Sequence, residues 1–130
     1  MIQGGVERLQ TVHPQLARLV RAVAETWDVV ILETLRTPER QAELVAHGKS
    51  KTLQSKHLVQ PDGYAHAVDL APLPVDWNSL PRWYYFGGYC LALAKNMGIP
   101  AVWGGDWNGN TQVTDQQLND CDHFELKENS

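Results

Sequence analysis

The stretch Val29-Val-Ile-Leu-Glu-Thr-Leu-Arg-Thr-Pro38 contains two different structural signals close together. Its first four residues are apolar and mostly β-branched, which is typical of a buried strand. Thr37 and Pro38 are residue types preferred at the N-cap and the first position of a helix. We therefore predict a strand followed by a helix that runs to about His47 and ends at Gly48.

The segments on either side supply further elements. Apolar residues at helical spacing predict a helix from Val12 to Trp27, and another from Ser79 to Gly98. Pro61-Asp-Gly63 is a turn signal, so residues 49–64 are predicted to form an extended loop. Short strands are predicted at residues 65–70, 101–103 and 123–126.

The composition limits the classes of protein to consider. The chain has 130 residues, 43% of them hydrophobic, which predicts one domain over residues 1–130 with a real core. Eleven Lys and Arg against fifteen Asp and Glu give a net charge of −4, so nucleic acid is not expected as a partner.

Two cysteines cannot form a disulfide framework. No secretory signal is visible, and the longest uncharged stretch, Trp83 to Ala94, is too short to span a membrane.

Charge is unevenly distributed along the chain. Five cations lie between positions 36 and 56, whereas acidic residues crowd the C-terminal quarter. One interpretation is two solvated surfaces. The other is a cleft with an anion-binding wall and an acidic wall that holds a metal. The five cations are Arg36, Arg40, Lys49, Lys51 and Lys56.

Three of the five histidines are candidates for a metal site. His57, His66 and His123 are predicted in loops or at strand edges, near Asp69 and other acidic residues in sequence. Catalytic zinc commonly takes three protein ligands of the His and carboxylate types and leaves one position for water. Composition alone does not choose among these candidates.

Four motifs in a fixed order narrow the choice. They are Ser55-Lys-His57, Gly63-Tyr-Ala-His-Ala-Val-Asp-Leu-Ala-Pro72, Trp103-Gly-Gly-Asp-Trp107 and Asp120-Cys-Asp-His-Phe-Glu-Leu126. Together they resemble the M15 family of zinc peptidases, and in particular phage endolysins of the L-alanyl-D-glutamate peptidase type. The resemblance implies an α+β fold of the M15/hedgehog-like kind, with a small, mostly antiparallel sheet and about three helices packed on it.

The resemblance also implies roles for individual residues. His57, Asp69 and His123 fall on the family's Zn²⁺ ligands, Asp120 on its catalytic carboxylate and Arg36 on its catalytic arginine.

The segment from His57 to Asp69 departs from the family pattern. It is longer than the usual His-x-x-Gly-x-Ala-x-Asp, which implies an insertion around Val59 to Gly63. His66, which is nearer to Asp69 in sequence, is therefore the alternative ligand. We favour His57 because Ser55-Lys-His57 keeps its local motif.

Two further side chains are expected at the substrate site. Ser55 is predicted to hydrogen bond to substrate or to a group that contacts the metal ligands, as the corresponding serine does in the family. Trp107 is predicted to line a substrate groove, and core packing is its alternative.

The resemblance leads to one principal function and two alternatives. The principal expectation is a monomeric endopeptidase that cuts the L-alanyl-D-glutamate bond of peptidoglycan for host lysis. It would be made in the host cytoplasm, act on the wall in the periplasm after holin-type release, and carry no separate cell-wall-binding domain. The alternatives are a D-Ala-D-Ala carboxypeptidase or dipeptidase of the same fold, and a non-catalytic zinc-containing domain that binds the cell wall.

Overall fold

A mixed five-stranded sheet organises the chain, whose residues 1–50, 52–113 and 120–127 are described by a computed structural model. The strands lie in the order β1-β2-β3-β5-β4. β1 runs parallel to β2, and the other neighbouring pairs are antiparallel, which confirms the predicted mostly antiparallel sheet. The strands are β1 (Ile2–Gly4), β2 (Val29–Glu33), β3 (Ala67–Pro72), β4 (Ala101–Gly104) and β5 (Asp120–Leu126).

Within the described residues, three α-helices and one 3-10 helix accompany the sheet. They are the 3-10 helix Val6–Thr11, α1 (Pro14–Val23), α2 (Pro38–Ala46) and α3 (Leu80–Asn96). The caps predicted for α2 are present, since the Thr37 hydroxyl accepts a hydrogen bond from the Arg40 N–H at 3.1 Å and Gly48 has a φ of +70°. No helix within the described ranges is long and apolar enough to cross a membrane.

Several boundaries differ from the prediction. α1 ends at Val23 rather than at Trp27, β3 is shifted towards Pro72, and β5 begins at Asp120 rather than at His123. Neither β1 nor the 3-10 helix was predicted. Lys51, one of the five predicted cations, lies outside the described residues.

The hydrophobic core lies between the sheet and helices α1 and α3, which pack on each other. Side chains alternate between the two faces of a strand, so Val68 and Leu70 of β3 join this core while Asp69, between them, points to the opposite face. That opposite face carries a cluster of polar side chains.

Candidate active site

Three acidic or imidazole side chains form a row across the sheet. Glu33 of β2 is in register with Asp69 of β3, and Asp69 is in register with His123 of β5. Residues directly opposite on antiparallel strands share a face and lie about 5 Å apart. Strand pairing therefore brings together residues that are far apart in the sequence.

His57 joins this row from the loop between α2 and β3. Its Nε2 lies 3.1 Å from Asp69 Oδ1, and its Nδ1 donates to the Thr34 carbonyl oxygen at 2.7 Å. A carbonyl can only accept, so Nδ1 carries the proton and the neutral ring keeps its lone pair on Nε2. The ring is only 2% exposed, which holds this orientation.

His123 approaches Asp69 with its other ring nitrogen. Its Nδ1 lies 3.1 Å from Asp69 Oδ1, and its Nε2 lies 2.8 Å from Glu125 Oε1. The ligand atoms of His57, Asp69 and His123 all lie within 4.8 Å of one another. Two imidazole nitrogens and one carboxylate oxygen at this spacing make a donor set suited to a divalent transition metal.

His66, the alternative ligand, lies elsewhere. Its Nε2 pairs at 2.7 Å with Oδ2 of Asp62, which belongs to the inserted segment around Val59 to Gly63. The structure thus brings His57 to Asp69 and leaves His66 beside Asp62. The identity of the metal ligands stays a prediction to be tested by substitution.

The pKa values of Asp69 and His123 are shifted in opposite directions by their mutual contact. Burial acts to raise the pKa of Asp69, but the close contacts of its carboxylate with His123 and His57 outweigh it and hold that pKa below its ordinary value. Burial acts to lower the pKa of His123, but hydrogen bonds with Asp69 and Glu125 raise it to about 10. Without metal the cluster therefore pairs a carboxylate with an imidazolium, and metal binding would displace the proton from His123.

Asp120 lies at the edge of the cluster, at the start of β5, and lines the same cavity as the three donor residues. Its side chain hydrogen bonds with that of Asp122. Burial raises the pKa of Asp122 to about 8, with further contributions from Asp120 and from the charge of Asp69. Near neutral pH Asp122 is therefore largely protonated and donates to Asp120.

Arg36 lines the same cavity and is held in place by hydrogen bonds. Its Nε and Nη2 donate to the two carboxylate oxygens of Glu33 at 2.5 and 2.9 Å, and its Nη1 donates to Gln41 Oε1 at 2.6 Å. The hydrogen bond with Glu33 raises the pKa of Arg36 above its usual value despite burial, so the guanidinium stays charged. Only 11% of the arginine side chain is exposed, so this ion pair is largely buried on the arginine side.

Gln41 was not predicted as part of the site. It is 1% exposed, and its Nε2 donates to Ser50 Oγ at 2.9 Å and to the Thr52 carbonyl oxygen. It therefore ties Arg36 to the loop that follows α2. A glutamine inside an amphipathic helix resembles any surface residue in sequence, and only the loop packed over it makes it buried.

A cavity of about 540 Å³ joins these groups. Its cations are Arg36, Arg40 and Lys49, and its acidic groups include Asp69 and Asp120. Opposite charges therefore meet across one cleft, as the second interpretation of the charge distribution predicts. Lys56 lines a separate cavity instead.

The two predicted substrate contacts occupy different positions. Ser55 lines the cavity, and its hydroxyl accepts a hydrogen bond from the His57 backbone N–H at 3.1 Å. The Trp107 ring lies beside the His123 ring, with centroids 5.3 Å apart and planes inclined at 36°. Ser55 thus positions a candidate metal ligand, while substrate contact by either residue stays a prediction.

Comparison with known proteins identifies the family. The family model for phage L-alanyl-D-glutamate peptidases matches residues 2–127. The chain belongs to this family. The match extends over all five strands and the helices, so it includes every residue of the candidate site.

Individual relatives agree with the family assignment. The L-alanyl-D-glutamate peptidase of Escherichia phage T5 is 29% identical over 118 residues, which cover 85% of this chain and 82% of that protein. The L-alanyl-D-glutamate peptidase of Listeria phage A118 is 37% identical over 95 residues, covering 71% of this chain and 31% of that protein. The crystal structure of the Serratia marcescens L-Ala D-Glu endopeptidase ChiX matches with a TM-score of 0.75 and 32% identity, over 93% of this chain and 84% of that one.

Proposed function

We propose that this chain is a phage endolysin that hydrolyses the L-alanyl-D-glutamate bond of peptidoglycan stem peptides, using a zinc ion held by His57, Asp69 and His123. The observation that carries the proposal is the convergence of these three side chains, with ligand atoms within 4.8 Å, in a cavity that also contains Arg36 and Asp120. Family membership supplies the bond that is cut.

The donor set suits a catalytic zinc ion. His57 Nε2 is left with its lone pair by the Nδ1 bond to Thr34, and one carboxylate oxygen of Asp69 faces both rings. Three protein ligands of this type leave one coordination position for water, as catalytic sites require. When bound, zinc supplies Lewis acidity, which polarises the scissile carbonyl and activates water near neutral pH.

Asp120 is the proton carrier in this proposal. A carboxylate beside the metal position takes a proton from the attacking water and passes it to the leaving amine. The hydrogen bond from Asp122 restricts the Asp120 side chain. Asp120 is also only partly buried, so it can exchange its proton with solvent between turnovers.

Arg36 provides the fixed positive charge of the site. Negative charge develops on the former carbonyl oxygen during attack, and a donor that is already oriented stabilises it without reorganisation. Glu33 and Gln41 supply that orientation through three hydrogen bonds.

The remaining cations of the cavity suit an acidic peptide. A stem peptide carries free carboxylates, which arginine and lysine bind through charge-assisted hydrogen bonds. Arg40 is 57% exposed and makes a 3.2 Å ion pair with Glu43, a weak surface contact that substrate can replace. Lys49 lines the same cavity.

Analysis of the products tests the proposal. Purified peptidoglycan is digested and the released fragments are identified by mass spectrometry, with and without a chelator and after zinc is added back. We expect peptides with an N-terminal D-Glu, loss of release with chelator, and recovery with zinc. Release of free D-Ala would instead indicate the carboxypeptidase alternative, and binding without release would indicate the non-catalytic one.

A further inference from the structure

We propose that Glu125 is a positioning residue for the metal centre, because its carboxylate fixes the tautomer and ring orientation of His123. This inference rests on the proposed function only in that His123 is a metal ligand. Nothing in the motif pattern assigned a role to Glu125.

The contact between Glu125 and His123 is short, and both residues lie on strand β5. Glu125 Oε1 lies 2.8 Å from His123 Nε2. The two residues are two apart on β5, so their side chains project from the same face. Glu125 is also paired with Ala67 of β3 and with Val102 of β4, so strands on both sides hold its backbone.

This contact determines which ring nitrogen of His123 carries the proton. A neutral ring has one N–H and one lone pair, and a carboxylate acceptor at Nε2 keeps the proton there. The lone pair then lies on Nδ1, the nitrogen that faces Asp69 at 3.1 Å. Without Glu125 the ring can hold its proton on either nitrogen, and only one of these tautomers can bind metal through Nδ1.

The two histidines differ in what orients them. His57 is oriented by the backbone carbonyl of Thr34, which no substitution removes. His123 is oriented by a side chain, which can be exchanged. Removing a group that hydrogen bonds to a metal-bound histidine typically lowers metal affinity or activity about 10- to 100-fold.

Zinc affinity measured by competition with a chromophoric chelator tests the inference. We expect Glu125→Ala to weaken zinc binding about 10- to 100-fold. Glu125→Gln keeps an oxygen acceptor and should lose less zinc affinity than Glu125→Ala. Asp62→Ala is the matched control, because it removes a carboxylate–imidazole pair of similar length, with His66, outside the cluster. It should leave zinc affinity unchanged.

A second measurement needs no variant. Long-range proton–nitrogen NMR of the zinc-loaded wild-type protein reports which nitrogen of each histidine is protonated. We expect a proton on His123 Nε2 and metal on Nδ1. The reverse arrangement, or a Glu125→Ala variant that folds and binds zinc as tightly as the wild type, overturns the inference alone. A wild-type protein that binds no zinc overturns the proposed function as well.

Discussion

Arg36 shows how much of the site depends on the arrangement around one side chain. Among the residues that the structure describes, Glu33 uses two of the five N–H groups of Arg36 and Gln41 uses one, which leaves two on the terminal nitrogens for a ligand. The planar guanidinium can make this set of contacts, and an ammonium group cannot reproduce its geometry.

We therefore expect Arg36→Lys to keep the positive charge but lose most activity. The loss of an oriented donor for the developing oxyanion should lower turnover about 10²- to 10³-fold. Zinc content should be unchanged, since Arg36 is outside the His-Asp-His group. Arg21→Lys, on an exposed position of α1, is the control. Turnover is measured as fragment release from peptidoglycan, and a wild-type rate for Arg36→Lys would contradict the role given to Arg36.

Some residues of the candidate site could be predicted from their local sequence, and others could not. The motif Ser55-Lys-His57 pointed to His57, which the structure brings to Asp69. Gln41 and Glu125 were missed because each has an ordinary local context. Their contacts depend on the packing of a loop over α2 and on the arrangement of β5 between two other strands.

For helices and strands, capping residues and apolar periodicity predicted the elements well where the signal is local in sequence. Helix α2 has the predicted N-cap and a left-handed glycine just beyond its end. β1 was missed because three residues carry no periodicity, and its strand character comes from parallel pairing with β2. The start of β5 was missed because Asp120 and Asp122 are polar, although Asp120 pairs with Gly104 across an irregular register.

The contact between α3 and β4 gives a prediction at this scale. A Cβ at Gly87 would lie 2.2 Å from the Trp103 ring, whereas one at the neighbouring Gly88 would have no atom within 4 Å. We expect Gly87→Ala to lower the free energy of unfolding by about 1–3 kcal/mol, because the helix must move off the sheet.

Gly88→Ala is the matched control on the same helix. It should raise the free energy of unfolding by about 0.5–1 kcal/mol, since alanine is the better helix former and the site is open. Denaturant unfolding of both variants checks the pair. Equal effects of the two substitutions would mean that the packing of α3 on Trp103 does not limit the size of the residue at position 87.

At the scale of the whole molecule, the net charge conceals the arrangement that matters. A net charge of −4 argued against a nucleic-acid partner, yet the fold places Arg36, Arg40 and Lys49 around a cavity that also holds Asp69 and Asp120. The sequence showed that both charge types exist in separate segments. Only the packing of α2 and its following loop beside strands β3 and β5 makes them face each other.

The most direct test of hydrolysis at this centre is a paired measurement on Asp120→Asn. Zinc content and the rate of D-Glu-terminated fragment release are determined on the same preparation. We expect bound zinc to stay at the wild-type level, because His57, Asp69 and His123 are intact, while the rate falls about 10²- to 10⁴-fold through loss of the proton carrier. A variant that keeps its zinc and releases fragments at the wild-type rate would show that Asp120 is not the proton carrier.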